Sequence, residues 1–300
     1  MIVSIASGKG GTGKTTFAVS LALSLGEAQF LDCDVEEPNA SIFLKPAIEK
    51  RRPVSVPEPW VDVSKCNHCG ECAKICAYHA IAVFGKSVLI FHELCHGCGG
   101  CWLICPEKAI KEGKREVGVI EEGKAGLIHF IQGTLRVGEH MATPVIKAVK
   151  SMIQKDMDVI IDAPPGTSCP MIESVKGSDF VCLVTEPTPF GLNDLKLAIE
   201  VVRKLRIPHG VIINCDGIGD NGVKDYCEKE NIPLLLSIPW DRQIAEAYSR
   251  GIPAVAVFPD LKERLKFLFQ EIKGLVQQRK MVAGSEATLP TYGNIRKMGR

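Results

Sequence analysis

The chain has 300 residues with 36 basic and 35 acidic side chains, a formal net charge of +1, so its bulk electrostatics favour neither nucleic acid nor an anionic membrane surface. Hydrophobic residues at 46% and charged residues at 24% give an ordinary globular balance, with length for one large domain or two smaller ones. No run reaches the roughly 18 apolar residues that span a bilayer, and a glycine-rich loop stands where a secretion signal would still be apolar, so a cytoplasmic protein without a transmembrane segment is expected.

Ile2 to Ala6 reads as a buried strand, Ser7 to Lys14 as a loop, and Thr15 to Leu25 as a helix ending before Gly26. Gly8-Lys9-Gly10-Gly11-Thr12-Gly13-Lys14-Thr15 fits G-x-x-x-x-G-K-[ST], in which glycines let backbone N–H groups close around phosphates at a helix N-terminus. Lys14 is expected on the β and γ phosphates and the Thr15 hydroxyl on Mg2+, with Thr16 completing the nucleotide loop. Phe30 to Asp32 reads as a second strand, with Asp32 and Asp34 at its end. Asp34 is expected to orient an attacking water. Lys45 to Pro59, with Pro46, Pro53, Pro57 and Pro59, breaks the rhythm of strands and helices and is predicted as a domain junction.

The chain then enters a cysteine block. Eight of its 13 cysteines lie between Cys66 and Cys105, a local device and not a secreted disulfide framework, which suits a reducing compartment. Cys66, Cys69, Cys72 and Cys76 follow C-x2-C-x2-C-x3-C, and Cys95, Cys98, Cys101 and Cys105 repeat it. Such spacing lets one tight loop aim three thiolates at one [4Fe-4S] cluster. Zinc is the alternative for cysteine pairs but does not account for a duplicated four-cysteine run. Pro106 follows the second run, whereas Ala77 stands at the matching place in the first; His68 and His96 read as loop or supporting residues.

Beyond the block, Glu116 to Ile120, Gly126 to Ile131 and Thr134 to Val137 are short alternating runs that predict a meander or hairpin. Apolar strands follow at Val159 to Ile161, Phe180 to Val184, Val211 to Ile213 and Leu234 to Ile238, with helices predicted at Pro144 to Gln154, Leu192 to Leu205 and Val223 to Glu230. Asp162, at the end of the first of these strands, is the Walker B candidate that would meet the metal. Continuous apolar strands alternating with helices imply a parallel sheet covered on both faces. The expected fold class is therefore α/β: a mostly parallel, doubly wound sheet carrying the phosphate loop, from residues 1–58 and 114–280, with the cysteine block inserted at 59–113 as a small domain, which its resemblance to ferredoxins, given below, implies is α+β and ferredoxin-like. Leu261, Leu265, Leu268, Ile272 and Leu275 mark a final helix, to about Val276, that is expected to pack on the sheet. Residues 281–300 lack periodicity and are predicted as a flexible tail.

A second lysine inside the phosphate loop makes the reading specific. Lys9-Gly10-Gly11-Thr12-Gly13-Lys14-Thr15-Thr16 resembles the deviant Walker A loop of the MinD, ParA and nitrogenase-iron-protein superfamily. That resemblance implies a homodimer closed by ATP, in which Lys9 reaches the nucleotide of the facing copy, and adenine flanked by Asn214, Pro239 and Asp241. The cysteine runs are similar to those of two-cluster ferredoxins, where the fourth cysteine crosses to the other cluster. This implies one cluster on Cys66, Cys69, Cys72 and Cys105 and another on Cys95, Cys98, Cys101 and Cys76. With Asp32 to Asn39 and Thr185 to Gly191, the order over roughly residues 1 to 280 resembles MinD-type P-loop ATPases carrying an inserted ferredoxin domain. Implied with it are ATP or ADP, Mg2+, two [4Fe-4S] clusters, and ATP hydrolysis linked to iron-sulfur chemistry. The favoured function is ATP-gated electron transfer to an unidentified redox partner. The alternative is ATP-dependent assembly or carriage of clusters to an acceptor protein, although carriers of the Mrp/Nbp35 group use a C-terminal C-x-x-C pair and no cysteine follows Cys227 here. Cys169 is placed like a cluster-binding cysteine of the nitrogenase iron protein, but Val137 to Met141 offers no second cysteine, and a structural or redox-responsive thiol is expected.

Overall fold

A computed structural model of the chain describes residues 1–286, with side chains through Arg279. Strand β1 (Ile2–Ala6) leads through the glycine loop into α1 (Lys14–Leu25), and β2 (Ala28–Asp32) leads into the short α2 (Ala40–Leu44). Strands β3 (Ala47–Val61) and β6 (Ile110–Ala125) form a long antiparallel arm. Between them lie α3 (Glu71–Ile75), the hairpin β4 (Ile81–Phe84) and β5 (Ser87–Ile90), and α4 (Gly100–Ile104). The chain continues through β7 (Ile128–Leu135), α5 (Ala142–Lys150), β8 (Val159–Asp162), α6 (Cys169–Val175), β9 (Phe180–Thr185), α7 (Pro189–Lys204), β10 (His209–Asp216), α8 (Gly222–Lys229) and β11 (Leu234–Pro239). It ends in α9 (Arg242–Ser249), α10 (Ala254–Val257) and α11 (Pro259–Glu286).

The main sheet has the order β11-β10-β9-β1-β8-β2-β7-β6-β3, parallel from β11 to β7 and antiparallel in its last two pairings. Val159, Ile160 and Ile161 are fully buried because helices cover both faces of the central strands. On one face α1, α2, α10 and α11 pack around Phe30, Phe130 and Phe180; on the other, α5 to α8 pack on the alternate residues, such as Ile131, Val181 and Leu183. β1 lies between β8 and β9, so the loop after it opens at a switch point of the sheet, where α/β folds bind ligands.

Two local expectations are corrected and one is met. Lys45 to Pro59 is not irregular: it enters β3, paired with β6 from Ala47 opposite Lys124 to Val61 opposite Ile110. Pro53, Pro57 and Pro59 occupy alternate positions of this edge strand, so their missing N–H groups fall on the side that no neighbour pairs, where they also discourage edge-to-edge association. The hairpin expected after the cysteine block is present as two strands, β6 and β7, joined at Gly126 (φ +60°) and Leu127. In α11 the buried stripe runs through Leu261, Leu265, Leu268 and Ile272 and then passes to Val276, leaving Leu275 40% exposed, because a straight helix drifts from a heptad repeat. That stripe packs along α1 and, with it, over the sheet residues Phe30, Phe130 and Phe180, as expected.

Helix α11 continues through Glu286, so 281–286 are helical where the sequence predicted a tail; the flexibility expected of 287–300 lies outside the described residues. Among the described residues no helix is long and apolar enough to cross a membrane.

Candidate functional site

Register decides which strand ends meet. β1 and β2 flank β8, with Ile5 and Asp32 both level with Asp162, so the phosphate loop and two carboxylates are delivered to one edge of the sheet. Lys9 to Thr16, Asp34, Asn214, Pro239 and Asp241 all line one cavity. Gly8 lies behind it, against α7, where a Cβ would stand 2.1 Å from the Asp194 carbonyl oxygen. Asp162 also lies behind the cavity wall, fully buried, and is met by Lys14: Nζ stands 2.7 Å from Asp162 Oδ1 and 3.7 Å from Asp34 Oδ2.

One ammonium therefore faces three carboxylates. Burial, the largest influence on Lys14, lowers its pKa, but Asp162, Asp34 and Asp32 together hold it above the ordinary lysine value. Burial and then the neighbouring Asp162 push Asp32 well above the carboxylate range. Asp32 is no solvated loop residue: its two oxygens accept the Asp34 and Ala40 N–H groups, each at 3.1 Å, and so fix the turn after β2. Asp162 Oδ2 is buried without a hydrogen-bond partner. A surplus of buried carboxylate beside an orphaned oxygen, with the Thr15 hydroxyl 3.4 Å from Lys14 Nζ, is a donor set that fits a hard divalent cation such as Mg2+.

Asp34 is pushed up to about 6, by burial first, opposed by Lys14 and reinforced by Asp162 and Glu37. Folding thus favours its protonated form, so the stability this group contributes is present below its unfolded value and is lost as pH rises through about 6. If the ionised carboxylate is what accepts a water hydrogen, kcat/KM for ATP hydrolysis is expected to fall as pH drops through about 6. A profile flat from about pH 5 to pH 8 would remove Asp34 from that role.

The remaining loop residues are braced from neighbouring elements. Asn214 Nδ2 donates to the Thr12 carbonyl at 2.9 Å and passes so close to Gly13 (φ +84°) that a Cβ there would stand 2.2 Å from it. Asp241 caps α9 by accepting the Gln243 N–H at 2.7 Å. Lys9, expected to serve a facing copy, pairs at 3.0 Å with Glu186 of its own chain. Sequence reasoning did not single out Glu186 as a partner; its signal was a position in the Thr185 to Gly191 loop, directly after β9.

The eight cysteines of the insert sort into two separate cavities. Cys66, Cys69, Cys72 and Cys105 line one, walled by Val61, Val83, Val88 and Ile110. Cys76, Cys95, Cys98 and Cys101 line the other, walled by Ile75, Ile81 and Trp102. The two runs repeat one backbone path, with left-handed residues at His68 and Gly97, Gly70 and Gly99, and His79 and Lys108. Each fourth cysteine accepts a backbone N–H on sulfur, Cys76 from Ala80 at 3.2 Å and Cys105 from Ala109 at 3.3 Å. Among the described residues no three His, Cys, Asp or Glu side chains converge to hold one metal ion. Four thiols distributed around an apolar cavity fit a cluster, which takes one thiolate per iron, and do not fit a mononuclear zinc. His68 lines the first cavity, while His96 stacks on Tyr78 at 3.7 Å beside the second. Arg115 of β6 ties the insert to the sheet, pairing with Glu58 and Glu139 and reaching the Cys95 carbonyl at 3.4 Å. Cys169 is a free, exposed thiol at the start of α6.

Residues 3–254 match the CobQ/CobB/MinD/ParA nucleotide binding domain. The chain belongs to this family of P-loop ATPases. Its relatives include an uncharacterized protein of Methanocaldococcus jannaschii, 33% identical over 92% of this chain and 98% of that protein. An iron-sulfur cluster carrier protein of Pyrococcus horikoshii is 25% identical over 91% of this chain and 88% of that protein. Among solved structures, the cell division ATPase MinD of Pyrococcus furiosus is similar with a TM-score of 0.56 at 22% identity, over 91% of this chain and 98% of that one. The likeness to MinD lies in the fold, an α/β architecture around a large, mostly parallel sheet.

Proposed function

We propose that this MinD/ParA-family chain couples ATP binding and hydrolysis in a sandwich homodimer to electron transfer through two [4Fe-4S] clusters, carried by a ferredoxin-like insert between Val61 and Ile110. The observation that carries the reading is the sorting of eight cysteines into two four-thiol cavities on an arm of the same sheet that bears the phosphate loop. Cys66, Cys69, Cys72 and Cys105 hold one cluster, and Cys95, Cys98, Cys101 and Cys76 hold the other. Each cluster, when bound, supplies a one-electron relay to a redox partner.

In the nucleotide half, the loop amides and Lys14 hold the phosphates, and Thr15 with Asp162 supports Mg2+. Lys14 exchanges Asp162 for phosphate oxygen, which frees the buried carboxylate for the metal side. Asn214, Pro239 and Asp241 flank the base. Asp34 takes a hydrogen bond from a water held for in-line attack; the water oxygen bonds to the γ-phosphorus, the bond to the bridging oxygen breaks, the water's proton passes to Asp34 and on to solvent, and ADP and inorganic phosphate leave. Lys9 leaves Glu186 and stabilises charge on the nucleotide of the facing copy.

The relatives named iron-sulfur cluster carrier proteins favour a second reading, in which ATP drives release of a cluster to an acceptor protein. An anaerobic assay with iron-57-labelled protein, an apo-ferredoxin acceptor and ATP separates the two. The label is expected to stay with the chain while ATP is hydrolysed; label that moves only with ATP replaces electron transfer by carriage.

A further inference from the structure

We infer that Arg115, through its ion pair with Glu139, is a positioning residue that couples the nucleotide site to the cluster of Cys95, Cys98, Cys101 and Cys76 and leaves the other cluster uncoupled. The inference rests on the ATPase and two-cluster readings above and deepens them by naming the contact between the two halves.

Arg115 stands on β6 opposite Val56, with its side chain 14% exposed, and its guanidinium meets three parts of the molecule. Nε lies 3.2 Å from Glu58 Oε1 on β3, Nη1 pairs with Glu139 Oε2, and Nη2 donates to the Cys95 carbonyl at 3.4 Å. Glu139 belongs to the loop between β7 and α5, residues 136–141, and is almost wholly buried. Its second oxygen accepts the His140 and Met141 N–H groups at 3.0 and 3.2 Å, so the carboxylate moves with the loop. A buried ion pair separates only at high cost, so a shift of the loop carries Arg115, and with it the backbone beside Cys95.

The same loop is seated on the nucleotide site. Leu135 donates to the Val35 carbonyl at 2.7 Å, one residue past Asp34. Val35 is buried in one core with Ala142 and Val145 of α5, and Leu135 and Met141 pack against that core. The packing has no slack: a Cβ on Gly133 would stand 2.8 Å from both Val35 and Val145. Lys14 lies 3.7 Å from Asp34 in the nucleotide-free protein and is drawn off when it takes phosphate. Asp34 then has two arrangements, and Val35 passes the difference to the loop. The first cysteine run has no such link. Among the described residues the side-chain bonds at its loop stay inside the insert: Asn67 to Glu107 at 2.9 Å, the Cys69 N–H to Asn67 at 3.1 Å, and Lys74 to Glu71 at 2.7 Å.

Coupling is reciprocal: if ATP alters the potential of one cluster, reducing that cluster alters ATP affinity by the same factor. The test is a mediated redox titration followed by electron paramagnetic resonance, with and without Mg2+ and a fluorescent non-hydrolysable ATP analogue. The two signals are assigned with Cys66→Ala and Cys101→Ala, and analogue affinity is measured on oxidised and dithionite-reduced protein. In wild type the analogue is expected to shift the midpoint of the Cys95 cluster by about 59 mV or more, equal to a tenfold change in analogue affinity on one-electron reduction. The other cluster is expected to shift by less than the equivalent of twofold.

Glu139→Gln removes the charge that holds Arg115, and Arg115→Lys keeps a cation but not the fork that reaches Glu139 and Cys95 together. In both, the shift is expected to fall below the equivalent of twofold, while iron per chain stays as in wild type and the oxidised protein binds the analogue within about threefold of wild type. A merely structural role would change iron content or stability and leave the shift in place. No shift in wild type, equal shifts of both clusters, or a shift retained in both variants overturns the inference, as does loss of the Cys95 cluster from both. Wild type that binds the analogue and shows both signals leaves the ATPase and cluster readings standing whatever the shift; failure to bind it removes the first reading, and a missing signal removes the second.

Discussion

Lys14→Ala is expected to lower ATP hydrolysis by roughly 10³-fold or more while leaving the iron content of the chain unchanged. Its ammonium is the charge that lets Asp162 sit fully buried at 2.7 Å, and it faces Asp34 at 3.7 Å on the other side. Without it the phosphates lose their principal cation and Asp162 is left as an uncompensated buried carboxylate. The nucleotide-free variant should also be less stable by about 3 kcal/mol, the low end for breaking a buried pair, because Asp32 beside it already favours its protonated form. Hydrolysis, chemical unfolding and iron per chain measured on one preparation check all three statements. Loss of iron would mean that the two sites do not fold independently, and hydrolysis near the wild-type rate would put the phosphate site elsewhere.

Cys105→Ala is expected to halve the iron content and to do so in a particular way. Cys105 lines the cavity of Cys66, Cys69 and Cys72, although it belongs to the other run in sequence. Its removal should therefore leave the same surviving cluster spectrum as Cys66→Ala, and a different one from Cys101→Ala, whose thiol lines the cavity completed by Cys76. If each run held its own cluster, Cys105→Ala and Cys101→Ala would match instead. Low-temperature electron paramagnetic resonance of the three reduced variants, with iron counting, distinguishes the patterns.

The phosphate loop was legible because its determinants are local. Glycines at fixed offsets, a preceding apolar strand and a following helix specify a backbone path within some fifteen residues, and the structure places all of these on one cavity or directly behind it. The parallel core was legible for a related reason: strands buried on both faces carry uninterrupted apolar residues such as Val159 to Ile161. The β3 edge strand was not legible. Prolines that break an interior strand are tolerated where alternate N–H groups face no partner, and whether a strand is an edge is a property of the sheet.

By itself the sequence determined the α/β class, the phosphate-binding path of the loop and the duplicated spacing of the thiols, because each is encoded by residues that are neighbours along the chain. Tertiary structure decided which carboxylate neutralises Lys14, that Lys9 rests on Glu186, and that the last helix-stripe position passes from Leu275 to Val276. Those outcomes depend on sheet order, register and packing between residues far apart in sequence, and such contacts acquire their partners only when the chain has closed around them.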